Sequence, residues 1–345
     1  MRASVIIVSY NSREYLSGCL PSLIPSLGQQ DEIIIVDNAS SDNTSSWLIQ
    51  YYPKIHLIRS NRNLGYAGGN NLGAKHAHGK YLVFLNPDTI VDEHWLDSLV
   101  NVLDNNSEAG LATPKILLLQ NPQTINTCGN DVHISGITLC RGMNQPASCY
   151  SKQEGVSAVS GAAFAIRTDL FNTLGGFDES FFMYMEDTDL SWRARLHGAQ
   201  CIFVPNSLVH HAYNLQFGTE KVFYQERNRY MLLIKTLKAP TLILLTPVFV
   251  LSELISWGFA ILRDRSNLKN KIDAYTWMIN NWSNIKDKRL LVQSNRKISD
   301  HILLKQTSYK LDFFQTGKNL FSIIAQVVFT PIFWVLRSII LVLIK

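Results

Sequence analysis

The chain has 345 residues, long enough for one large domain or two ordinary ones. At 46% hydrophobic and 17% charged, its composition excludes an intrinsically disordered chain. The formal charge of +5 gathers mainly after Lys221 and comes with no DNA- or RNA-binding motif, which argues against nucleic acid as a partner.

In chain order, residues 3–8 form a short β-branched apolar run, as expected of a buried parallel strand ending at Ser9-Tyr10-Asn11-Ser12. The N-terminus enters this run directly. It does not read as a signal peptide, so the expectation is a cytoplasmic start. A helix is predicted over 13–27, with Pro21 and Pro25 as possible breaks. A second buried strand over 32–36 stops at Asp37-Asn38, and a helix over 44–52 and a strand over 55–58 follow. A Gly/Asn-rich turn over 61–71 leads into a helix, and the strand at 81–85 ends at Asn86-Pro87-Asp88. This alternation of strand, turn and helix is the rhythm of βαβ units on a parallel sheet, whose ligands bind at the carboxyl ends of the strands. A helix over 92–103 and a strand near 111–112 come next, then a less regular region over 115–150 that reads as loops or a small antiparallel excursion. A buried strand is predicted over 156–167, and another over 201–204 before His210-His211.

Residues 175–198 concentrate glycine, aromatics and charge. Glu186, Asp187 and Asp189 precede Trp192, Arg193 and Arg195, and Asp189 and Arg193 share a helix face at i,i+4. Acids at a helix start suit the dipole, and a carboxylate among apolar side chains is also placed for a tuned pKa. The five cysteines form no CxxC pair, which predicts reduced thiols in a cytosolic compartment rather than a disulfide frame or a zinc site.

Eight motifs in order carry a resemblance. They are Val8-Ser9-Tyr10-Asn11, Val36-Asp37-Asn38-Ala39-Ser40-Ser41-Asp42, Asn63-Leu64-Gly65-Tyr66-Ala67-Gly68-Gly69-Asn70-Asn71 and Leu85-Asn86-Pro87-Asp88, followed by Ser160-Gly161-Ala162-Ala163, Gly176-Phe177-Asp178-Glu179, Glu186-Asp187-Thr188-Asp189 and Arg227-Asn228-Arg229. Over residues 3–235 the chain resembles a family 2 glycosyltransferase of the GT-A fold, an α/β architecture with a mostly parallel central sheet. Within that family it is most similar to the rhamnosyltransferase-like branch of O-antigen and other cell-surface polysaccharide biosynthesis. The resemblance implies a nucleotide-sugar site of Tyr10, Asn11, Asp37, Asn38, Asn63, Gly68, Asn70, Asn71, Asn86 and Arg227, taking a dTDP- or UDP-sugar. Asp37 would accept a base N–H, although an ordinary helix cap also accounts for it. Asp88 and His211 would hold Mg²⁺ or Mn²⁺, with Asn86 standing where many relatives have an acid. His210 is the alternative histidine. Asp187 would be the catalytic base, with Glu186 beside it, in an inverting transfer to a glycan or polyprenyl-linked glycan. Arg227 and Arg229 would reach the diphosphate, or else form a solvated helix face.

Residues 236–345 are expected to form a helical membrane-associated region behind a catalytic domain over 1–235. Stretches 239–262 and 320–344 are apolar except for Glu253 and Arg337. Were both to cross, the intervening loop with its eleven Lys/Arg would lie outside, against the positive-inside preference. The expectation is therefore helices lying in the cytoplasmic face of the inner membrane, with buried helices of a soluble domain as the other possibility. A sugar-nucleotide nucleotidyltransferase shares the strand–helix layout, and a catalytically inactive glycan-binding module is the non-enzyme alternative.

Overall fold

The structure, a computed structural model, describes residues 1–213, 219–263, 265, 267–316 and 320–345. Its strands are β1 (Ala3–Ser9), β2 (Asp31–Asp37), β3 (His56–Arg59), β4 (Tyr81–Leu85), β5 (Thr89–Val91), β6 (Ala109–Leu118), β7 (Asn121–Thr127), β8 (Asn130–Val132), β9 (Thr138–Cys140), β10 (Glu154–Gly155), β11 (Ala163–Arg167) and β12 (Gln200–His211). The helices are α1 (Arg13–Leu23), α2 (Thr44–Tyr51), α3 (Gly65–Ala74), α4 (Trp95–Asn105), α5 (Thr168–Thr173), α6 (Glu186–Leu196), α7 (Thr219–Thr236), α8 (Ala239–Leu244), α9 (Thr246–Arg263), α10 (Asn267–Asn280), α11 (Trp282–Ser294), α12 (Asp300–Leu304) and α13 (Leu320–Leu343). The chain divides into two compact units: Met1–Asn130 with Cys140–Ala194 and Ala199–Asn214, and Asp131–Leu139 with Arg195–Gly198 and Leu215–Lys345.

In the first unit the main sheet runs β10-β12-β6-β11-β4-β1-β2-β3, with β5 on β12 and β7 on β6. The half built from β1, β2, β3 and β4 is parallel, as the early βαβ rhythm requires. The other half is mixed. β11 runs antiparallel between β4 and β6, while β12 lies parallel to β6. Both faces of β1 and β4 are buried, which is why these strands read as unbroken apolar runs.

Three local readings shift. Of the predicted strand over 156–167 only Ala163–Arg167 becomes a strand, β11; before it Ala158 makes an isolated bridge to Asn130, and the Gly161 N–H turns to the Asp187 carboxylate. Pro21 sits inside α1 and Pro25 opens a 3-10 turn, so the first helix closes at Leu23. β12 extends to His211, with residues 205–207 bulged out between the pairs Val204↔Pro114 and Leu208↔Lys115. Ser207 in the bulge donates its hydroxyl to the Trp95 carbonyl at 2.7 Å.

The second unit is mainly helical. The apolar stretch 239–262 is two helices, not one. Pro240 starts α8, and Pro247 starts α9 after the break at Leu245, each in a first turn that needs no proline N–H. Among the described residues, Ser322–Leu343 is the helix long and apolar enough to cross a membrane. Arg229 and Lys271, both buried, and Glu226 and Glu253, partly exposed, form a four-charge network across α7, α9 and α10. In it Arg229 meets Glu226 at 2.8 Å and also contacts Glu253, and Lys271 lies 3.0 Å from Glu226 and 3.3 Å from Glu253.

Candidate active site at the strand ends

The carboxyl ends of β1, β2 and β4 and the start of α6 belong to the first unit. At the end of β1, Tyr10 is half exposed, and Asn11 adopts φ 51° while its Oδ1 accepts the Ser41 N–H at 2.7 Å. At the end of β2, the buried Asp37 Oδ1 accepts the Ser40 N–H at 2.9 Å, and its Oδ2 meets the Ser45 hydroxyl. Asn38 is fully bridged. Its amide donates to Asn63 Oδ1 at 2.9 Å and to the Gly65 carbonyl at 3.1 Å, and its Oδ1 accepts the Leu64 N–H at 2.9 Å. The structure thus draws Asn11, Asp37, Asn38 and Asn63 into one loop system, with the amides of Asn38 and Asn63 fixing its shape.

α3 begins within the glycine-rich stretch. Gly65 has φ +68°, and a Cβ there would fall 2.3 Å from the Phe182 carbonyl oxygen, so only glycine fits. A Cβ on Gly68 would come 2.9 Å from that of Leu64. Asn70 is buried and donates to the Tyr66 carbonyl, and Asn71 holds both the N–H and the carbonyl of Phe177 at 2.9 Å. These two asparagines tie α3 to itself and to the Gly176-Phe177 turn.

Asn86 directly follows β4, and its N–H reaches the Ala162 carbonyl at 2.9 Å. Asp88 and His211 are brought together, with Oδ1 and Nε2 3.3 Å apart. His211 Nδ1 lies 2.9 Å from the Asn126 side-chain amide, which leaves Nε2 facing Asp88. Asp88 Oδ1 is buried and receives no hydrogen bond. A carboxylate oxygen and an imidazole nitrogen this close are a donor pair of the kind that holds a divalent cation. His210 points elsewhere, to Asp92 at 3.1 Å. Among the described residues no cluster of three or more His, Cys, Asp or Glu side chains forms a cation site.

α6 opens with Glu186 and Asp187, both buried. Asp187 Oδ2 accepts the Gly161 N–H at 2.7 Å and the Asn130 amide at 3.1 Å, and Oδ1 accepts the Thr188 N–H at 2.6 Å and its hydroxyl at 3.2 Å. Burial raises its pKa and these donors pull against that rise. Glu186 Oε2 has no partner, and burial followed by the neighbouring Asp187 pushes its carboxyl well above the usual range. Tyr66 donates to the Gly161 carbonyl at 2.7 Å, and burial beside the two acids raises its phenol. Asp189 pairs with Arg193 at 2.7 Å, and that guanidinium also caps the Leu174 and Gly176 carbonyls. The approach to α6 is strained, since Phe182, Tyr184 and Met185 have φ of 62°, 66° and 66°.

Arg227 lies in the second unit, buried on α7 with its guanidinium 4.4 Å from the Trp277 ring centre and 4.9 Å from that of Tyr224. Asn126 and Asn130, which hold His211 and Asp187, were not singled out by the sequence. Tyr66 was visible only as part of the glycine-rich stretch.

A sequence profile described as glycosyl transferase family group 2 matches residues 81–344, and one described as glycosyl transferase family 2 matches residues 4–121. The chain belongs to the family 2 glycosyltransferases. Its relatives within the family include a low-salt glycan biosynthesis hexosyltransferase of Haloferax volcanii, 29% identical over 56% of this chain and 61% of that protein. An N-acetylglucosaminyl-diphospho-decaprenol L-rhamnosyltransferase of Mycobacterium tuberculosis is 27% identical over 60% of this chain and 75% of its own length. The chain therefore spans less than two thirds of the Haloferax relative. Among solved structures, S. aureus TarS 1–349 in complex with UDP-GlcNAc superposes with a TM-score of 0.56 at 15% identity, over 98% of this chain and 91% of that one. GalNAc-T7 with UDP, GalNAc and Mn²⁺ gives 0.57 at 20% identity, over 68% of this chain and 48% of that one. The fold is GT-A, a curled mixed sheet flanked by helices, as these neighbours share it.

Proposed function

We propose that the chain is an inverting, metal-assisted glycosyltransferase that moves a sugar from a dTDP- or UDP-sugar to a lipid-linked glycan in cell-surface polysaccharide synthesis. Rhamnose is the first donor sugar to test, since the mycobacterial relative is named for it. The observation that carries the reading is the buried acid pair at the start of α6, in the same unit as the bare Asp88–His211 pair at the strand ends. The functional division proposed with it keeps the catalytic domain at 1–235 and the membrane-associated helices at 236–345, on the cytoplasmic face of the membrane.

In this reading Asp187 takes the proton of the acceptor hydroxyl. That oxygen bonds to the anomeric carbon, the bond from this carbon to the diphosphate oxygen breaks with its electron pair, and the anomeric configuration inverts. Adjacent carboxyls in a dry site do not both ionise easily. Asp187, with four donors, keeps the charge, and Glu186, whose Oε2 has none, keeps the proton. Asp88 and His211 are the side chains that would hold a divalent ion, whose positive charge would offset that of the leaving diphosphate. The loop system of Tyr10, Asn11, Asp37, Asn38 and Asn63, with Gly68, Asn70, Asn71 and Asn86, would seat the nucleotide sugar. Arg227 is assigned to the diphosphate only through the family motif.

The test is transfer from radiolabelled dTDP-rhamnose and UDP-sugars to a polyprenyl-diphosphate-linked glycan, with nucleotide binding measured in parallel. Asp187→Asn should bind nucleotide as wild type does and lose transfer by about 10²-fold or more. Wild-type turnover in that variant would remove Asp187 as the base.

A further inference from the structure

Helix α13 is apolar apart from a few polar residues, and the fold treats its sides differently. Ser322, Ala325, Phe333 and Ile340 are buried, a stripe at helical spacing that marks the docked side. That side is held along its whole length within the second unit. Gln326 accepts the Phe313 N–H at 3.3 Å, and the Phe333 ring meets His133 at 4.5 Å. Arg337 donates to the Lys305 carbonyl at 2.7 Å, and the Leu341 carbonyl lies 3.0 Å from His301 Nδ1. Arg337, which interrupts the apolar sequence, thus places its charge on the docked side.

Among the described residues nothing covers the opposite side. Ile324, Val327, Val328, Ile332, Val335, Ile339 and Val342 are all exposed, Val327 and Val342 to 69% and 67%. On α9, which touches α13, Val250 and Leu254 are also exposed, to 54% and 67%. A soluble surface rarely leaves such a stripe in water. From Ser322 to Leu343 the helix is roughly 33 Å long at 1.5 Å per residue, so length alone permits crossing. The docked side decides against it. A perpendicular helix would carry the Lys305, His301 and Thr307 segment into hydrocarbon with it, where polar backbone and charge are costly.

Charge names the partner. Residues 215–345 hold nineteen Lys/Arg against eight Asp/Glu, a net +11, while the whole chain is only +5. Lys305 and Lys310 are exposed on the segment that grips α13, and exposed Lys345 follows its last turn. An exposed apolar face on a unit with this excess of positive charge fits the headgroup–acyl boundary of an anionic leaflet.

We propose that the second unit docks on an acidic phospholipid surface through the exposed side of α13, the helix lying in the membrane plane without crossing it. This rests on the membrane-associated reading above and specifies its geometry. The experiment uses the full chain with a C-terminal epitope tag. Flotation with phosphatidylcholine vesicles is compared with flotation with phosphatidylcholine/phosphatidylglycerol vesicles. Wild type should float with the acidic vesicles, and the Val327→Glu/Val342→Glu variant, at sites already exposed, should lose at least about tenfold in partition with an unchanged circular dichroism spectrum. Added to sealed vesicles bearing bound protein, protease should remove the tag.

A protected tag would mean that α13 crosses, and would overturn the proposal while leaving membrane association intact. Equal flotation of the variant would remove this face as the dock. Wild type that stays in solution as a dimer dissociated by the double substitution would assign the face to a second copy, and would also overturn it. Transfer to a soluble acceptor analogue without vesicles reads the glycosyltransferase assignment separately.

Discussion

Burial raises the carboxyls of both Glu186 and Asp187, but four side-chain and backbone donors converge on Asp187, whereas Glu186 Oε2 receives none among the described residues. If Glu186 is the member that holds the proton, glutamine should imitate it. Glu186→Gln is therefore expected to keep transfer within about tenfold of wild type, while Asp187→Asn loses it, measured as kcat at saturating donor. The pH dependence follows from the direction of the shifts. Ionised Asp187 exists only above its raised pKa, so kcat falls as pH drops through that value, and the same limb persists in Glu186→Gln. For stability the sign reverses. The folded chain keeps the Glu186 proton above pH 4.5, where the unfolded chain releases it, so this group costs stability as pH rises through that window. Thermal unfolding should show Glu186→Gln gaining on wild type between pH 4.5 and neutrality. At the Asp88–His211 pair, His211→Ala should weaken Mn²⁺ binding, followed calorimetrically with UDP present, by about 10-fold or more. The residues that hold these groups were hidden in the sequence. Asn126 and Asn130 stand far from His211 and Asp187 along the chain, and an isolated Asn in an irregular stretch carries no local pattern.

At the level of elements, strand ends were legible because β-branched runs stop abruptly at polar residues, as β1, β2 and β4 do. The order of the second half of the sheet was not. Strand pairing is non-local, and nothing local in β11 says that it enters antiparallel between β4 and β6. Pro240 and Pro247 stand where α8 and α9 begin, a break hidden by the apolar composition of 239–262, and in the same way the apolar bulk of α13 masked Ser322, Gln326 and Arg337, which recur at helical spacing on its docked side. The fit of α3 under the strained 182–185 segment makes Gly65→Ala a sharp test. A methyl 2.3 Å from the Phe182 carbonyl, on a backbone at φ +68°, should cost about 2–4 kcal/mol in denaturant unfolding and slow transfer by displacing the start of α6. The α7–α9–α10 network offers a second test. Burial alone would raise Glu253, but Arg229, Tyr230, Tyr275 and Lys271 outweigh it and hold it at about 2. Glu253→Gln leaves Arg229 and Lys271 with one anion fewer and should destabilise by about 3–5 kcal/mol at neutral pH.

For the whole molecule, the second unit contains its own acid sensitivity. Burial pushes the His133 pKa down to about 3, against a backbone bond to Tyr309 and with Arg229 nearby adding to the fall. Between 3 and its ordinary 6.5 the unfolded chain binds a proton that the folded chain refuses. Stability is thus full above pH 6.5 and declines below it. Wild type should unfold at progressively lower denaturant from pH 6.5 to 4, and His133→Phe should flatten that slope. The ring packs edge-on against Phe333 of α13, so acid weakens the seat of the same helix that offers its other side to lipid.

The three-residue bulge in β12 bears on how this site tolerates insertions and deletions. Val204 and Leu208 pair with successive residues of β6, so the ladder on either side counts as though 205–207 were absent. Excising all three would splice the ladder seamlessly and leave His211 opposite Thr89, beside Asp88, whereas removing one or two would leave a remnant that fits neither state. The loop is a detachable insert. What its loss would forfeit is the hydroxyl that Ser207 gives to the Trp95 carbonyl at the head of α4.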